Sequence, residues 1–520
     1  MNFNKKLAVA VSGAVLLMAG QFALADSATD IVDALVSKGV LTEEEGKLIT
    51  KGHTSKTAVT PVVKEKDGSF TLESANGRNS ISLTGRMHLD ARWNDAYVDG
   101  VGIDRDTQSL ADQFELRRAR LGVKGKFAND FKYEVVGNLP GTATIDVAFL
   151  DWAKFDAVQF RVGKFKQPFG LEQLTSSNNI GLMERSYVDQ TVPAKKLGIQ
   201  MMGSPKAGFT YALSTFQPQD TELNIGGGDR ASGAARGTLN FAEIMGNKEM
   251  IMHVGLAGVD TEYTVGTSST SQTGLADSVS STQRGTISSF RTPGRGMNNI
   301  FRGQVNGEIC NAAYSGTGSI SQCASEFAAT IKNRAIGLEG ILASGPFKLA
   351  GEYSHGEYKG SQSSQSDNRV QYDTKTYYAE AGWFITGEKY ASSYKNGVFS
   401  SFKPMNDFDL DKGQWGAVEA LFRFEGYDVD SLTITQNGAA SSSGGRVQGN
   451  LSGTATNGGV ESGAKSYTAG IRWILNPNVV LKGNYSHTKF DNAFAPIDVT
   501  GATASIKDEK LLTFRTQFMF

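Results

Sequence analysis

Between Glu115 and Lys126 the chain carries Arg117, Arg118, Arg120, Lys124 and Lys126, with Arg86 upstream and Arg161, Lys164 and Lys166 downstream. A guanidinium offers a planar fork of donors that matches the oxygens of phosphate and similar oxyanions, so such a cluster is suited to holding an anion. The same cations at a membrane rim would also suit lipopolysaccharide phosphates, or ion pairs with acidic loops. Other chemistry finds little support. His53, His88, His253, His355 and His487 are scattered without a ligand pattern, and there is no nucleophile elbow, P-loop or metalloprotease helix. Cys310 and Cys323 share one long loop without CxxC-type spacing, and an exported chain would favour a disulfide there. We therefore expect no catalytic residue, metal, cofactor or nucleic-acid partner. Net charge is −1, so selectivity must come from where charges are placed.

Placing them is the task of strands. From Ile81 to Trp93, the residues Ile81, Leu83, Met87, Leu89 and Trp93 share one parity, and Arg86, His88, Asp90 and Arg92 the other. Side chains alternate across a strand, so one face is apolar and the opposite face polar. The pattern returns in Ala119, Leu121, Val123 and Phe127 against Arg118, Arg120, Lys124 and Lys126, and again in Tyr467, Ala469, Ile471 and Trp473. Sixteen such segments run from 80–93 to 508–520, an even number as closed bacterial barrels require, with an uncertainty of two strands. Short connections such as Ala128–Asp130 and Asn476–Asn478 alternate with long Gly- and Ser-rich ones. One long connection, Gly387 to Gly413, falls on the short-turn side.

Composition agrees with a barrel. The 520 residues include 60 Gly, 11 Pro and 2 Cys, and hydrophobic content is 39%. That is low for a large soluble core but sufficient where each strand needs one greasy face. The fold class is thus all-β, a transmembrane antiparallel barrel over 80–520. Ahead of it, Lys5 and Lys6, an apolar run to Ala19 and the small-residue site at Ala23–Ala25 predict a signal peptide over 1–25. Residues 26–52 show helical spacing, with Thr42 and Glu45 as a capping box, and predict a short periplasmic helical hairpin. Residues 53–79 read as linker and lead-in.

Specific stretches are familiar. Phe114-Glu115-Leu116-Arg117-Arg118-Ala119-Arg120-Leu121-Gly122, Val162-Gly163-Lys164-Phe165-Lys166-Gln167-Pro168-Phe169-Gly170-Leu171-Glu172, Met183-Glu184-Arg185-Ser186 and the start at Leu35–Glu45 resemble the phosphate-selective porin O and P family. The resemblance implies a homotrimer of sixteen-stranded barrels in a Gram-negative outer membrane. It implies passage of phosphate or related anions, with the third external loop folded into each pore and the arginine doublet helping to bind anion near the constriction.

On strand parity the lumen would be basic. Arg86, Arg118, Arg120, Lys124, Arg161, Arg236, Arg423, Arg472 and Arg515 fall on the polar face, and cations outnumber acids there roughly two to one. Fixed charge at a narrow, low-dielectric passage selects ions, so the preference would be for anions. Two positions resist the pattern. Arg117 and Arg118 cannot both face inward without a bulge, unless Arg117 turns to the rim, and Lys164 shares the face of Phe160 and Val162. Loop three, about 167–195 with Pro168, Phe169 and Gly170 near its start, suits an in-folded constriction. Alternatives are a general or organic-acid nutrient porin, a barrel enzyme with its nucleophile at the rim, and a plugged adhesive barrel.

Overall fold

The structure, a computed structural model, describes residues 27–57, 60–66, 69–94, 112–141, 143–218, 231–266, 284–306, 328–362, 368–440, 445–452, 460–494 and 506–520. The expected signal peptide, Cys310 and Cys323 lie outside them. Sixteen antiparallel strands form the wall: β1 (Ser80–Asn94), β2 (Gln113–Phe127), β3 (Phe131–Asn138), β4 (Thr144–Trp152), β5 (Gln159–Lys166), β6 (Lys195–Lys206), β7 (Phe209–Phe216) and β8 (Ser232–Asn240). They continue as β9 (Met250–Gly266), β10 (Ala328–Ser344), β11 (Phe347–Gln362), β12 (Arg369–Phe384), β13 (Ala417–Gln436), β14 (Val460–Ile474), β15 (Val479–Phe494) and β16 (Ile506–Met519). Each strand pairs with its neighbour in sequence, and β16 pairs back onto β1 through Thr513↔Arg92 and Arg515↔Asp90. Phe520 completes the seam, exchanging backbone hydrogen bonds with Gly85. Closure leaves no unpaired edge, which a lipid-exposed sheet cannot tolerate.

The two-residue rhythm sorts the faces as expected. Leu338, Leu342, Leu349, Phe422, Ile471 and Phe514 point outward and are exposed, whereas Glu339, Glu352, Glu380, Glu419, Arg423, Arg472 and Arg515 point inward and are buried. Aromatic residues gather on the outer face near both ends. Trp93 meets Phe114 and Phe514 edge-on at one end, and Trp415 meets Trp473 at the other. Such girdles mark the two membrane interfaces of outer-membrane barrels.

Before the barrel come helices α1 (Ser27–Ser37) and α2 (Glu43–Thr57). The capping box is present: the Thr42 amide donates to Glu45 Oε2 at 2.9 Å and the Glu45 amide to Thr42 Oγ1 at 3.2 Å. These hydrogen bonds from the Thr42 amide and hydroxyl hold the Glu45 carboxyl below the usual glutamate range. The lead-in is more ordered than a linker. Helix α2 runs to Thr57, and a hairpin of Val62–Lys66 with Ser69–Glu73 pairs onto the start of β1.

Three inserted units, the second built from two separate connections, fill much of the barrel. Loop three, 167–194, runs along the inside of β10 to β16. Strands Arg284–Phe290, Phe301–Asn306 and Gly445–Gly449 form a small sheet that buries Phe290, Phe301 and Val305 against Tyr372, Tyr427 and Val370. The third insertion is the long β12–β13 connection that spoiled the short-turn side in the sequence. It folds inward, burying Tyr390, Phe399 and Phe402 against Phe384, Ile341 and Ile474.

Candidate functional site

Loop three is drawn across the lumen by its first residues. Phe169 is fully buried among Phe216, Ala257 and Ala335, and Gly337 of β10 makes room for its ring. A Cβ at Gly337 would lie 2.8 Å from that ring. Gly170, at φ +76°, takes a left-handed turn that favours glycine. The next two amides, of Leu171 and Glu172, donate to the Glu352 carboxylate of β11 at 2.8 and 2.7 Å. Farther along, the Tyr187 amide donates to Glu425 of β13, and Lys482 of β15 donates to the carbonyl of Ile180. The loop is thus tied to one side of the barrel, leaving open space against β2 to β8.

That space is a cavity of about 790 Å³. Its lining includes Arg86, Arg118, Arg120, Arg161, Lys164, Lys166, Arg185, Lys195 and Arg236, against only Glu134, Asp146 and Asp189 as acids among the described residues. Several cations are matched by carboxylates. Asp146 holds Arg120 at 2.9 Å and also pairs with Lys195. Asp151 holds Arg161 in a two-point contact at 2.7 and 2.8 Å, while the Arg161 guanidinium lies 3.8 Å from the centre of the Phe149 ring. Others bond to neutral oxygens. Arg86 donates to the hydroxyls of Ser177 and Ser176 at 3.1 and 3.4 Å. Lys166 donates to the carbonyls of Gln173, Leu174 and Thr175, and Arg185 to those of Glu172 and Thr175, with Asp189 at 3.7 Å. Cations satisfied by neutral dipoles leave their charge uncancelled, so the cavity carries a net positive field.

The arginine doublet sits differently. In the β1–β2 register His88 pairs with Arg118 and Leu89 with Leu116, so Arg117 is the extra residue of a bulge and both arginines reach inward. Both are then occupied by Glu184 of loop three: Arg117 Nε lies 3.0 Å and Arg118 Nη1 3.4 Å from its Oε1, with Arg515 Nη2 at 2.6 Å. The doublet therefore fastens loop three, and Arg118 alone of the pair borders the cavity. A two-to-one cation excess over the whole wall is also too simple. Arg423 is matched by Glu172 and Glu380, Arg472 by Glu419, Arg515 by Asp90 and Arg236 by Glu339. The surplus lies mainly on the open side, although Lys482 of β15 is also met by carbonyls.

Of the remaining positions singled out in the sequence, Lys164 is half-buried and borders the cavity, although its neighbours Phe160 and Val162 are exposed on the outer face. Lys124 does not join them; it stands exposed, in register between Ser82 and Glu134. Pro168 borders the cavity, whereas Phe169 and Gly170 act as anchors behind it. Strand parity gives no facing for Arg185, Ser176 and Ser177, because loop residues have no periodicity, nor for Lys195, which opens β6 at the loop's end. The signal that could have found Arg185 was its place beside Glu184 in the Met183–Ser186 motif.

Porin O of Pseudomonas aeruginosa is 24% identical over 441 residues, spanning 83% of this chain and 87% of the relative. Among solved structures, a loop-deletion mutant of OmpT from Vibrio cholerae aligns over 85% of this chain and all of its own, with TM-score 0.45 and 10% identity. An anion-selective porin from Comamonas acidovorans aligns over the same shares, with TM-score 0.43 and 11% identity. The sequence profile of the phosphate-selective porin O and P family matches residues 81–286 and 319–520. With that match over most of the chain, and a sixteen-stranded closed barrel around a cationic cavity, this protein is an outer-membrane porin belonging to the phosphate-selective porin O and P family.

Proposed function

We propose that the protein is an anion-preferring channel that binds phosphate or a related oxyanion weakly on its way through, in the cavity bordered by Arg86, Arg120, Arg161, Lys166, Arg185 and Lys195. The observation that carries this reading is that Arg86, Lys166 and Arg185 direct their hydrogen bonds to hydroxyls and carbonyls while bordering open space. At Arg86, whose partners are two serine hydroxyls, an entering oxyanion gains charge-assisted hydrogen bonds without displacing a carboxylate. In this reading Arg117 and Arg118 fix the loop that forms one side of the passage. No step of bond making or breaking is involved; passage is diffusion down a gradient, biased by fixed charge. The family's trimeric assembly is part of the proposal, and lipopolysaccharide and lipid surround the wall.

The test is planar-bilayer recording of the protein and of Arg86→Ala. Reversal potentials in a potassium chloride gradient should favour chloride, and phosphate should block the chloride current. A hydrogen bond to a charged group contributes about 1.5–3 kcal/mol, so the variant should need roughly tenfold or more phosphate for the same block. Cation preference, or block unchanged in the variant, would overturn the proposal. The second reading is an organic-acid porin without phosphate preference. It predicts chloride conduction with no phosphate block.

A further inference from the structure

The cationic cavity has a second kind of lining that selection of a bare anion leaves unused. Across β1, β2 and β3 the inner wall carries Arg86 opposite Arg120, and Arg120 opposite Asn138. Two residues nearer the Ala128–Asp130 turn, about 7 Å along the strands, the inward positions of β2 and β3 are Gly122 and Val136. Gly122 lets the strands close up beside Val136, since a Cβ there would lie 2.8 Å from a valine methyl. Val136 stands opposite Val147 of β4, and the register slips just beyond that pair, from Val136↔Val147 to Gly137↔Ile145. Asp146 is thus the extra residue of a bulge, and it turns inward together with Val147. Asp146 goes to Arg120 and Lys195, while Val147 borders the open space. The next inward residue of β4, Phe149, also borders it, with the Arg161 guanidinium laid on its ring. There the apolar row ends, because Phe149 stands opposite Glu134, which has Lys124 on its other side.

We infer, resting on the reading of this cavity as an oxyanion site, that its preferred solute is a phosphate monoester with a small apolar or aromatic substituent. The phosphoryl oxygens take up the donors of Arg86 and Arg185, and the substituent lies along Val136, Val147 and Phe149. Val147 and Phe149 are half-buried, so each keeps apolar surface to offer. Inorganic phosphate and chloride gain nothing from such a row, whereas an apolar group laid on it releases water from both surfaces. Small-molecule sites have this build, an apolar lining with a few polar groups that fix orientation. The bulge is what sets the two kinds of lining side by side, by turning successive residues of β4 into the same cavity. The ester passes through uncleaved.

The experiment is planar-bilayer recording of the full-length protein with inorganic phosphate, glycerol 3-phosphate and phenyl phosphate. The two esters share a phosphate and differ in the polarity of what it carries. Burial of a phenyl group against apolar side chains should let phenyl phosphate block the chloride current at roughly tenfold lower concentration than glycerol 3-phosphate. Inorganic phosphate should resemble the glycerol ester. In Val136→Thr/Val147→Thr, which keeps the shape of both side chains, the advantage should fall to about threefold or less, with block by inorganic phosphate unchanged. Should the double variant fail to assemble, Val147→Thr alone carries the same comparison. Equal block by the two esters in the wild type would overturn the inference, as would an advantage for phenyl phosphate that survives in the variants. Currents untouched by all three solutes would instead sink the oxyanion reading, and this inference with it; block by inorganic phosphate without preference between the esters sinks the inference alone.

Discussion

At the scale of single residues, the distinction that matters is between cations that are spoken for and cations that are not. Glu184 gathers Arg117, Arg118 and Arg515 at one carboxylate. Replacing it by glutamine removes the charge and keeps the shape. Breaking such a buried cluster costs about 3–5 kcal/mol, so Glu184→Gln should lower the temperature at which the folded band is lost on heat-modifiability gels. The survivors should also show a larger chloride-to-potassium permeability ratio, since Arg117 and Arg118 then lose their shared counterion while Arg515 keeps Asp90. An unchanged ratio would mean that the doublet lies outside the ion path. The bulge that makes this cluster possible was legible in the sequence, because two arginines in succession contradict strict alternation. Their partner was not: Glu184 lies 67 residues from Arg117 in the chain, in a loop, and a loop offers no parity to read.

At the scale of elements, loop three takes its position from anchors rather than from its own regularity. Its two helical turns, Leu171–Leu174 and Tyr187–Gln190, are too short to be stable alone. The burial of Phe169 against Gly337 and the two amides given to Glu352 therefore fix its course. Gly337→Val would drive a branched side chain into the Phe169 ring. Overpacking of this kind costs about 1–3 kcal/mol, and here the relief available is displacement of the loop. Single-channel recordings should show a larger or less steady conductance than the wild type, and identical traces would show that the loop is held elsewhere. All sixteen strands were visible as period-two segments, but their outer ends were read short, by as much as ten residues in β13, which runs to Gln436. The inward course of the β12–β13 connection was not visible, because alternation reports which face of a strand is greasy and says nothing of a connection that folds back. Its one warning was Tyr390, Phe399 and Phe402 in a stretch that a solvent-exposed turn would fill with polar residues.

At the scale of the whole molecule, the charge of the lumen is lopsided. Beside β10 to β16, arginines and carboxylates cancel in pairs beneath loop three; beside β2 to β8 the cations prevail. The cavity is further bounded by Asn396 and Val398 of the β12–β13 insertion, and Arg236 donates to the Gly397 carbonyl. Different structures therefore guard its two sides, and the fixed field should differ for an anion arriving from either mouth. Currents at equal and opposite voltages should be unequal at 0.01 M salt, where screening reaches only beyond about 30 Å. They should converge at 1 M, where it acts within about 3 Å. Symmetric currents at both salt concentrations would contradict an uneven field.

The insertion between β12 and β13 also bears on what can cross irrespective of charge. Tyr390, Phe399 and Phe402 are packed inside the wall, so in the proposed channel a solute would meet an aromatic obstruction where a plain cylinder is open and would sidestep towards β2 to β8. A bent route admits small or jointed molecules and turns back long rigid ones of the same cross-section.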